Sequence, residues 1–179
     1  MGRALSPREI AWCGLFGAAG LVLPFLFHLV RLGHVFLPMY LPLVTLAFFV
    51  RPLPAALTAM LVPLLSGAVT GMPPFYPPIA VLMALELSGM AALIALVRTR
   101  LPRLNEWLVL VPTLLLGRVF YVGTAYVLAT LVDLPARFLA ALSFVSGWPG
   151  LVLMVVVVPP LVRLVRRPAG RVGGNGGRS

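Results

Sequence analysis

The sequence is poor in charged residues and contains a single cysteine. Only 10% of its 179 residues are charged and 61% are hydrophobic, with a mean hydropathy of +1.07. A soluble domain is about a quarter charged and about half apolar. The composition therefore excludes an ordinary soluble domain and predicts an integral membrane protein in a lipid bilayer. Cys13 alone cannot form an internal disulfide.

Motifs of enzymes and nucleotide-binding proteins are also missing. The sequence has no phosphate-binding GxxxxGK[ST] loop, no HExxH, no serine in a nucleophile elbow and no catalytic pair of carboxylates. Its two histidines have no cysteine or carboxylate at ligand spacing, which disfavours a metal site. We therefore expect no catalytic residues, no cofactor and no enzyme activity in this chain.

Lysine is absent, so the positive charge comes entirely from arginine. The chain has 14 arginines and a net charge of +10. They lie mostly between and outside the hydrophobic segments and do not form a basic stripe with interleaved aromatics. Nucleic acid is therefore not an expected partner.

Six hydrophobic segments approach the length of about 20 residues that crosses a bilayer. The second is short and contains Pro38 and Pro42, so we expect irregular backbone there and keep five spans as an alternative count. The sequence predicts an all-α membrane protein, a six-transmembrane-helix bundle. The predicted spans are Ile10–Val30, Leu37–Val50, Leu53–Thr70, Pro77–Val97, Trp107–Leu131 and Phe138–Val165.

The arginines are distributed unequally between the two faces of this bundle. With six spans, one face holds both termini and most of the arginines, whereas the opposite face holds only Arg31 and Arg137. Cytoplasmic loops carry the excess of basic residues, so we expect both termini in the cytoplasm. Residues 1–165 would form a single transmembrane substrate-binding domain, followed by a basic, glycine-rich, disordered tail over residues 166–179. The terminal face holds Arg3, Arg8, Arg51, Arg98, Arg100, Arg103, Arg163, Arg166, Arg167, Arg171 and Arg178.

The connector TGMPPFYPP, residues 70–78, is unusual for a turn between two hydrophobic segments. It holds four prolines and the aromatic residues Phe75 and Tyr76. Proline fixes φ and donates no backbone hydrogen bond, so the segment is stiff and non-helical. Either the prolines only end two helices, or the connector orders over a ligand at little further entropic cost. It lies on the predicted outer face with the loop that contains His34 and Tyr40.

Glu86 and Arg118 are ionisable residues well inside predicted spans. A charge at mid-bilayer costs about 2.5–3.5 kcal/mol on insertion scales, so both should face the protein interior. They could form a buried ion pair between two helices, contact a polar ligand, or do both. Tyr121 lies on the same broad helix face as Arg118. Substrate-binding candidates are therefore Arg118, Glu86, Tyr121, Tyr40, His34, Phe75 and Tyr76.

Small residues recur at helical spacing in the first span. Ala11, Gly14 and Ala18 form a stripe of the kind that lets helix backbones approach closely. The stripe could serve packing inside the bundle or docking against a second membrane protein.

The order of these features resembles the S components of energy-coupling factor (ECF) vitamin transporters. The resemblance covers nearly all of residues 10–165 and rests on the small-residue stripe, VFLPMYLP, RPLPAALTAMLVPLLSGAVTGMPP, ALELSGM and LGRVFY. Many relatives carry histidine after the FLPM motif, where this chain has Tyr40.

This resemblance implies a protein in the plasma membrane of a prokaryote that captures a vitamin-like small molecule at its outer face. It also implies partners: a membrane coupling protein (T component) and two ATP-binding cassette ATPases that supply energy. The stripe at Ala11, Gly14 and Ala18 would be part of the docking surface.

Two other classes of protein remain open at this stage. A small secondary carrier or channel should show paired inverted repeats with broken helices, which the sequence does not display. In a structural membrane assembly factor, the outer aromatic residues would be incidental and no small molecule would bind them.

Overall fold

The computed structural model describes residues 5–29, 37–76, 78–131 and 147–166. These residues form six α-helices and contain no strand, so the predicted all-α class is confirmed for this part of the chain. His34, the connector at residues 132–137 and the tail from residue 167 lie outside the described residues. The helices are α1 (Pro7–Leu29), α2 (Tyr40–Leu46), α3 (Pro52–Thr70), α4 (Ile79–Arg100), α5 (Glu106–Leu131) and α6 (Trp148–Arg166).

The start of α1 is specified by its sequence, SPRE. Ser6 Oγ accepts a hydrogen bond from the backbone N–H of Glu9 at 3.3 Å. The Glu9 carboxylate in turn accepts one from the Ser6 N–H at 3.1 Å. This reciprocal capping box, with Pro7 at the first helical position, satisfies donors that the helix leaves unpaired.

The ends of α3 and α5 also follow from local chemistry. Gly71, at φ +74°, ends α3 in the left-handed conformation and donates its N–H to the Gly67 carbonyl oxygen at 3.0 Å. Asn105 begins α5, because its Oδ1 accepts from the Trp107 N–H at 3.2 Å.

The short helix α2 lies at the centre of the bundle. It contacts α1, α3, α4 and α6, and six of its seven residues are buried. Around this core α3 packs on α4, and α4 on α5, while α1 packs on α2 and α3 at one edge.

Contacts along α1 give the direction of the segment that follows it. Gly20 lies against Leu43 of α2, and the Trp12 ring stacks on Phe49 at 4.9 Å between centroids. The chain then reaches Arg51, which is bonded to Glu9 near the start of α1. Residues 40–51 therefore run antiparallel to α1 along most of its length.

The bundle has two chemically different ends. The first, here called the arginine end, holds the start of α1, Arg51, the start of α5 and the end of α6. Arg163 of α6 is ion-paired with Glu106 of α5 at 3.0 Å there. The second, here called the connector end, holds residues 72–76.

Five helices, all except α2, are long and apolar enough to span a membrane. The count of six spans stays a prediction, because the helix in the predicted second span covers only Tyr40–Leu46. The predicted sixth span, from Phe138, begins outside the described residues, and its described helix starts at Trp148.

Candidate functional site

A cavity of about 650 Å³ opens at the connector end of the bundle. This volume lies in the usual range of small-molecule pockets, about 300–1,000 Å³. Its walls are mainly aliphatic, with polar atoms from Tyr40, Ser66 and Thr70. The other residues around it are Leu21, Pro24, Phe25, Leu37, Pro38, Met39, Met72, Pro73, Pro74, Ile79 and Met83.

The proline-rich connector forms one wall of this cavity and is fixed by hydrogen bonds from α3. Ser66 Oγ donates to the Met72 carbonyl oxygen at 2.6 Å, and Thr70 Oγ1 lies 3.1 Å from the same oxygen. On the other side, the Ala80 N–H in the first turn of α4 donates to the Pro74 carbonyl oxygen at 3.0 Å. Proline has no backbone N–H, so the connector has few donors of its own. Donors from α3 and α4 therefore bond the carbonyl oxygens of Met72 and Pro74. The Met72–Pro73 peptide bond is cis.

The two aromatic residues of the connector lie at the same end but do not line the cavity. Phe75 is 47% exposed and Tyr76 is 78% exposed. Phe75 leans toward α3, where a Cβ placed on Gly67 would be 3.0 Å from its ring. Their predicted contact with a ligand stays a prediction.

Tyr40 joins the cavity to a buried carboxylate. Its side chain is 3% exposed, lines the cavity and donates a hydrogen bond from its hydroxyl to the Glu86 carboxylate. Glu86 itself is 2% exposed. The tyrosine thus stands between the cavity and the acidic group, and it supplies the hydrogen bond that a buried carboxylate requires.

Arg118 does not take Glu86 as a direct partner. The ion pairs among the described residues involve Glu9 and Glu106, and none joins Glu86 to Arg118 within 4 Å. Arg118 instead lies over the Tyr121 ring, at 5.6 Å from its centroid. Arg118 and Tyr121 both lie close enough to Glu86 for an electrostatic interaction with its side chain. A direct ion pair, one of the two roles considered for these residues, is therefore not formed here.

The arginine end is built differently, because several of its charges are paired. Arg51 donates to Glu9 at 2.8 Å, and this hydrogen bond raises the pKa of Arg51 above its usual value. Glu106 accepts from Arg163 at 3.0 Å, and Arg166 donates to the Phe48 carbonyl oxygen at 2.6 Å. These bonds join α5 to α6, and they join α1 and α6 to residues 48–51, which lie between α2 and α3. This arrangement points to a structural role.

The small residues of α1 face two directions. Gly17 and Gly20 are buried, and a Cβ on Gly20 would lie 3.1 Å from Val62 of α3. The predicted stripe Ala11, Gly14 and Ala18 is exposed on an adjacent face of the helix. No described atom lies within 4 Å of a Cβ placed on Gly14. Packing within the described bundle therefore uses the other glycines, and the stripe is available to a partner or to lipid.

Several residues of the site were not predicted from the sequence. The wall of the cavity on α1, at Leu21, Pro24 and Phe25, has no signal of its own, since these residues look like ordinary lipid-facing positions. The proximity of Gly147 to Arg118 was also missed, although the helix-starting sequence GWPG could have indicated a helix terminus there.

Comparisons of the chain with protein-family models, curated proteins and solved structures found no match.

Proposed function

We propose that the chain is the substrate-capture subunit, or S component, of an ECF-type importer for a vitamin or related micronutrient. It would cross the plasma membrane of a prokaryote six times, with both termini in the cytoplasm, and bind its ligand at the connector end. The observation that carries the proposal is the cavity of about 650 Å³ beside the hydrogen-bonded proline-rich connector.

The direction of the chain supports the six crossings. Residues 40–51 run antiparallel to α1 from the level of Gly20 to that of Glu9, although only Tyr40–Leu46 is helical. Irregular backbone is tolerated at this depth because it is covered by protein. The arginine end, which would face the cytoplasm, then agrees with the positive-inside rule.

The exposed stripe on α1 supports a docking role. Ala11, Gly14 and Ala18 leave a shallow apolar surface where another helix could approach closely. In the proposed importer this surface contacts the membrane coupling protein, and two ATP-binding cassette ATPases supply the energy. The chain itself would not pump.

The first test is mass spectrometry of small molecules that co-purify with the detergent-solubilised chain. A vitamin-like compound bound in stoichiometric amount supports the proposal. Accumulation of that compound by vesicles containing this chain alone, without ATPases, would instead favour a secondary carrier.

A matched pair of glycine variants tests docking separately from folding. Gly14→Leu projects into open space and should leave ligand binding and the unfolding temperature nearly unchanged, while co-purification of the coupling protein is lost. Gly17→Leu is the control, because its Cβ would already lie 3.4 Å from Thr58. It should destabilise the bundle and reduce ligand binding as well. Full uptake and full co-purification of partners with Gly14→Leu would refute the docking role.

A further inference from the structure

The hydroxyl donors that line the cavity at the connector end are already bonded to the protein. Tyr40, Ser66 and Thr70 are the hydroxyl residues among its described walls. Tyr40 donates to the Glu86 carboxylate, and Ser66 Oγ donates to the Met72 carbonyl oxygen at 2.6 Å. Thr70 Oγ1 donates to the Ser66 carbonyl oxygen at 2.7 Å. Each hydroxyl has a single proton, so these side chains have no donor left for a ligand.

Two of the same hydroxyl groups keep the capacity to accept a hydrogen bond. A hydroxyl oxygen has two acceptor lone pairs besides its proton. Thr70 Oγ1 already accepts from the Met72 N–H at 3.2 Å. The hydroxyl oxygens of Tyr40 and Ser66 accept from no group in the described part of the chain. Because each of them also donates, its oxygen is polarised and becomes a stronger acceptor.

The rest of the cavity wall is unsuited to an anion. None of the fourteen described residues that line it is charged, and four of them are prolines, which bring no backbone N–H. Phe25 and Met72 line the cavity and are 61% and 55% exposed, so its rim is apolar as well. A negatively charged group that entered would lose its hydration and find no charged partner on these walls. The four prolines are Pro24, Pro38, Pro73 and Pro74.

We propose that this cavity takes a largely apolar molecule that has no negative charge and donates a hydrogen bond to the hydroxyl oxygen of Tyr40 or Ser66. The inference rests on the proposed function, because it assigns the class of micronutrient that the importer would carry. Compounds with a carboxylate or phosphate group are excluded as ligands of this cavity, whereas a neutral ring system with one N–H or O–H group fits it.

The first test compares indole with benzofuran on the purified full chain. The two molecules have nearly the same shape, but only indole has an N–H donor. Equilibrium dialysis with the same detergent concentration on both sides measures binding without a contribution from the micelles. Indole should bind about 3–10-fold more tightly than benzofuran, which corresponds to one net hydrogen bond.

The second test compares two probes that differ in charge. Indole-3-carboxamide and indole-3-carboxylate have similar shapes and the same ring N–H, and only the second is an anion. The carboxamide should bind at least about tenfold more tightly, because the described walls offer no charged partner to the carboxylate.

Two variants locate the acceptor. Tyr40→Phe and Ser66→Ala each remove one hydroxyl oxygen from the cavity wall. At least one of them should abolish the preference for indole over benzofuran while benzofuran still binds. The matched controls are Tyr126→Phe and Ser88→Ala, which make the same chemical changes at residues that do not line the cavity. Both controls should keep the preference. If Tyr40→Phe does not fold, Ser66→Ala and the two probe comparisons on the unaltered chain still decide.

Equal affinity for indole and benzofuran, or a preference that survives both cavity variants, would overturn the inference. Binding of the carboxylate as tightly as the carboxamide would overturn it too. A co-purified micronutrient with a carboxylate or phosphate group, displaced by indole, would refute the inference and leave the importer intact. Conversely, the expected probe preferences in a chain that recruits no coupling protein and no ATPases would support the inference and count against the importer.

Discussion

Gly67 is the position where the backbone of α3 comes closest to the proline-rich connector. A methyl group there would lie 2.7 Å from the Pro73 carbonyl oxygen, 3.0 Å from the Phe75 ring and 3.4 Å from the Ala80 Cβ. Non-bonded carbon atoms pack best at about 3.5–4.0 Å. Two of these neighbours are backbone or ring atoms and the third is on α4, so Gly67→Ala should push the connector away from α3.

The size of the effect follows from a comparison with Gly89→Ala. Gly89 is also helical, but no described atom lies within 4 Å of its added methyl group. Both substitutions gain helix propensity, at most about 1 kcal/mol each. This gain cancels in the comparison, so the difference between the variants isolates overpacking at Gly67, about 1–3 kcal/mol. At about 2–4 °C for each kcal/mol, Gly67→Ala should unfold about 2–12 °C below Gly89→Ala.

The assay is thermal unfolding of both purified variants in the same detergent, followed by binding of the co-purified ligand. We expect Gly89→Ala to unfold at or above the temperature of the unaltered chain, with unchanged ligand affinity. Gly67→Ala should unfold earlier and bind more weakly, because the connector wall of the cavity has moved. If both variants are stabilised equally, the connector does not pack against α3 at Gly67 and the reasoning fails.

Three further predictions concern the buried contacts and the topology. Tyr40→Phe removes the donor to Glu86 and should lower stability by about 1–3 kcal/mol, since a buried acceptor loses its partner; an unchanged unfolding temperature would contradict that bond. A methyl group on Gly117 would overlap the buried Met90 side chain at Sδ and Cγ, so Gly117→Ala should destabilise by about 1–3 kcal/mol. Combining it with Met90→Ala should cost less than the sum of the two single changes, and strict additivity would argue against the contact. A reporter fused after Ser179 should be active only in the cytoplasm, and an extracellular signal would reverse the proposed orientation.

The helices could be predicted from the sequence because a membrane span is recognised by length and hydrophobicity alone. The ends of α1 and α3 also follow from nearby residues, through the capping box at Ser6 and the left-handed glycine at Gly71. The second span differs, because Leu37–Val50 is hydrophobic enough to cross but only Tyr40–Leu46 is helical. Its irregular backbone is stabilised by contacts with α1 and α6, which local sequence does not encode.

The partners of the buried charges could not be predicted in the same way. Glu86 and Arg118 are the obvious pair by charge, yet the Tyr40 hydroxyl takes the carboxylate and the guanidinium turns toward Gly147. Which of several polar groups meets a buried carboxylate depends on how helices are placed around it. Distances of a few ångströms decide that choice, and helical spacing along one chain does not fix them.

One stripe of α1 connects the proposed docking face to the cavity. Ala11, Gly14 and Ala18 are exposed, and Leu21 and Phe25, which continue the same helical spacing, form part of the cavity wall. Among the described helices, α1 packs only at one edge of the bundle, chiefly on α2 and α3. A partner that draws α1 away from these neighbours would therefore widen the cavity without disturbing the paired charges of α5 and α6. Under the proposed function, docking on the first part of this stripe would weaken the grip on a ligand held beside its second part.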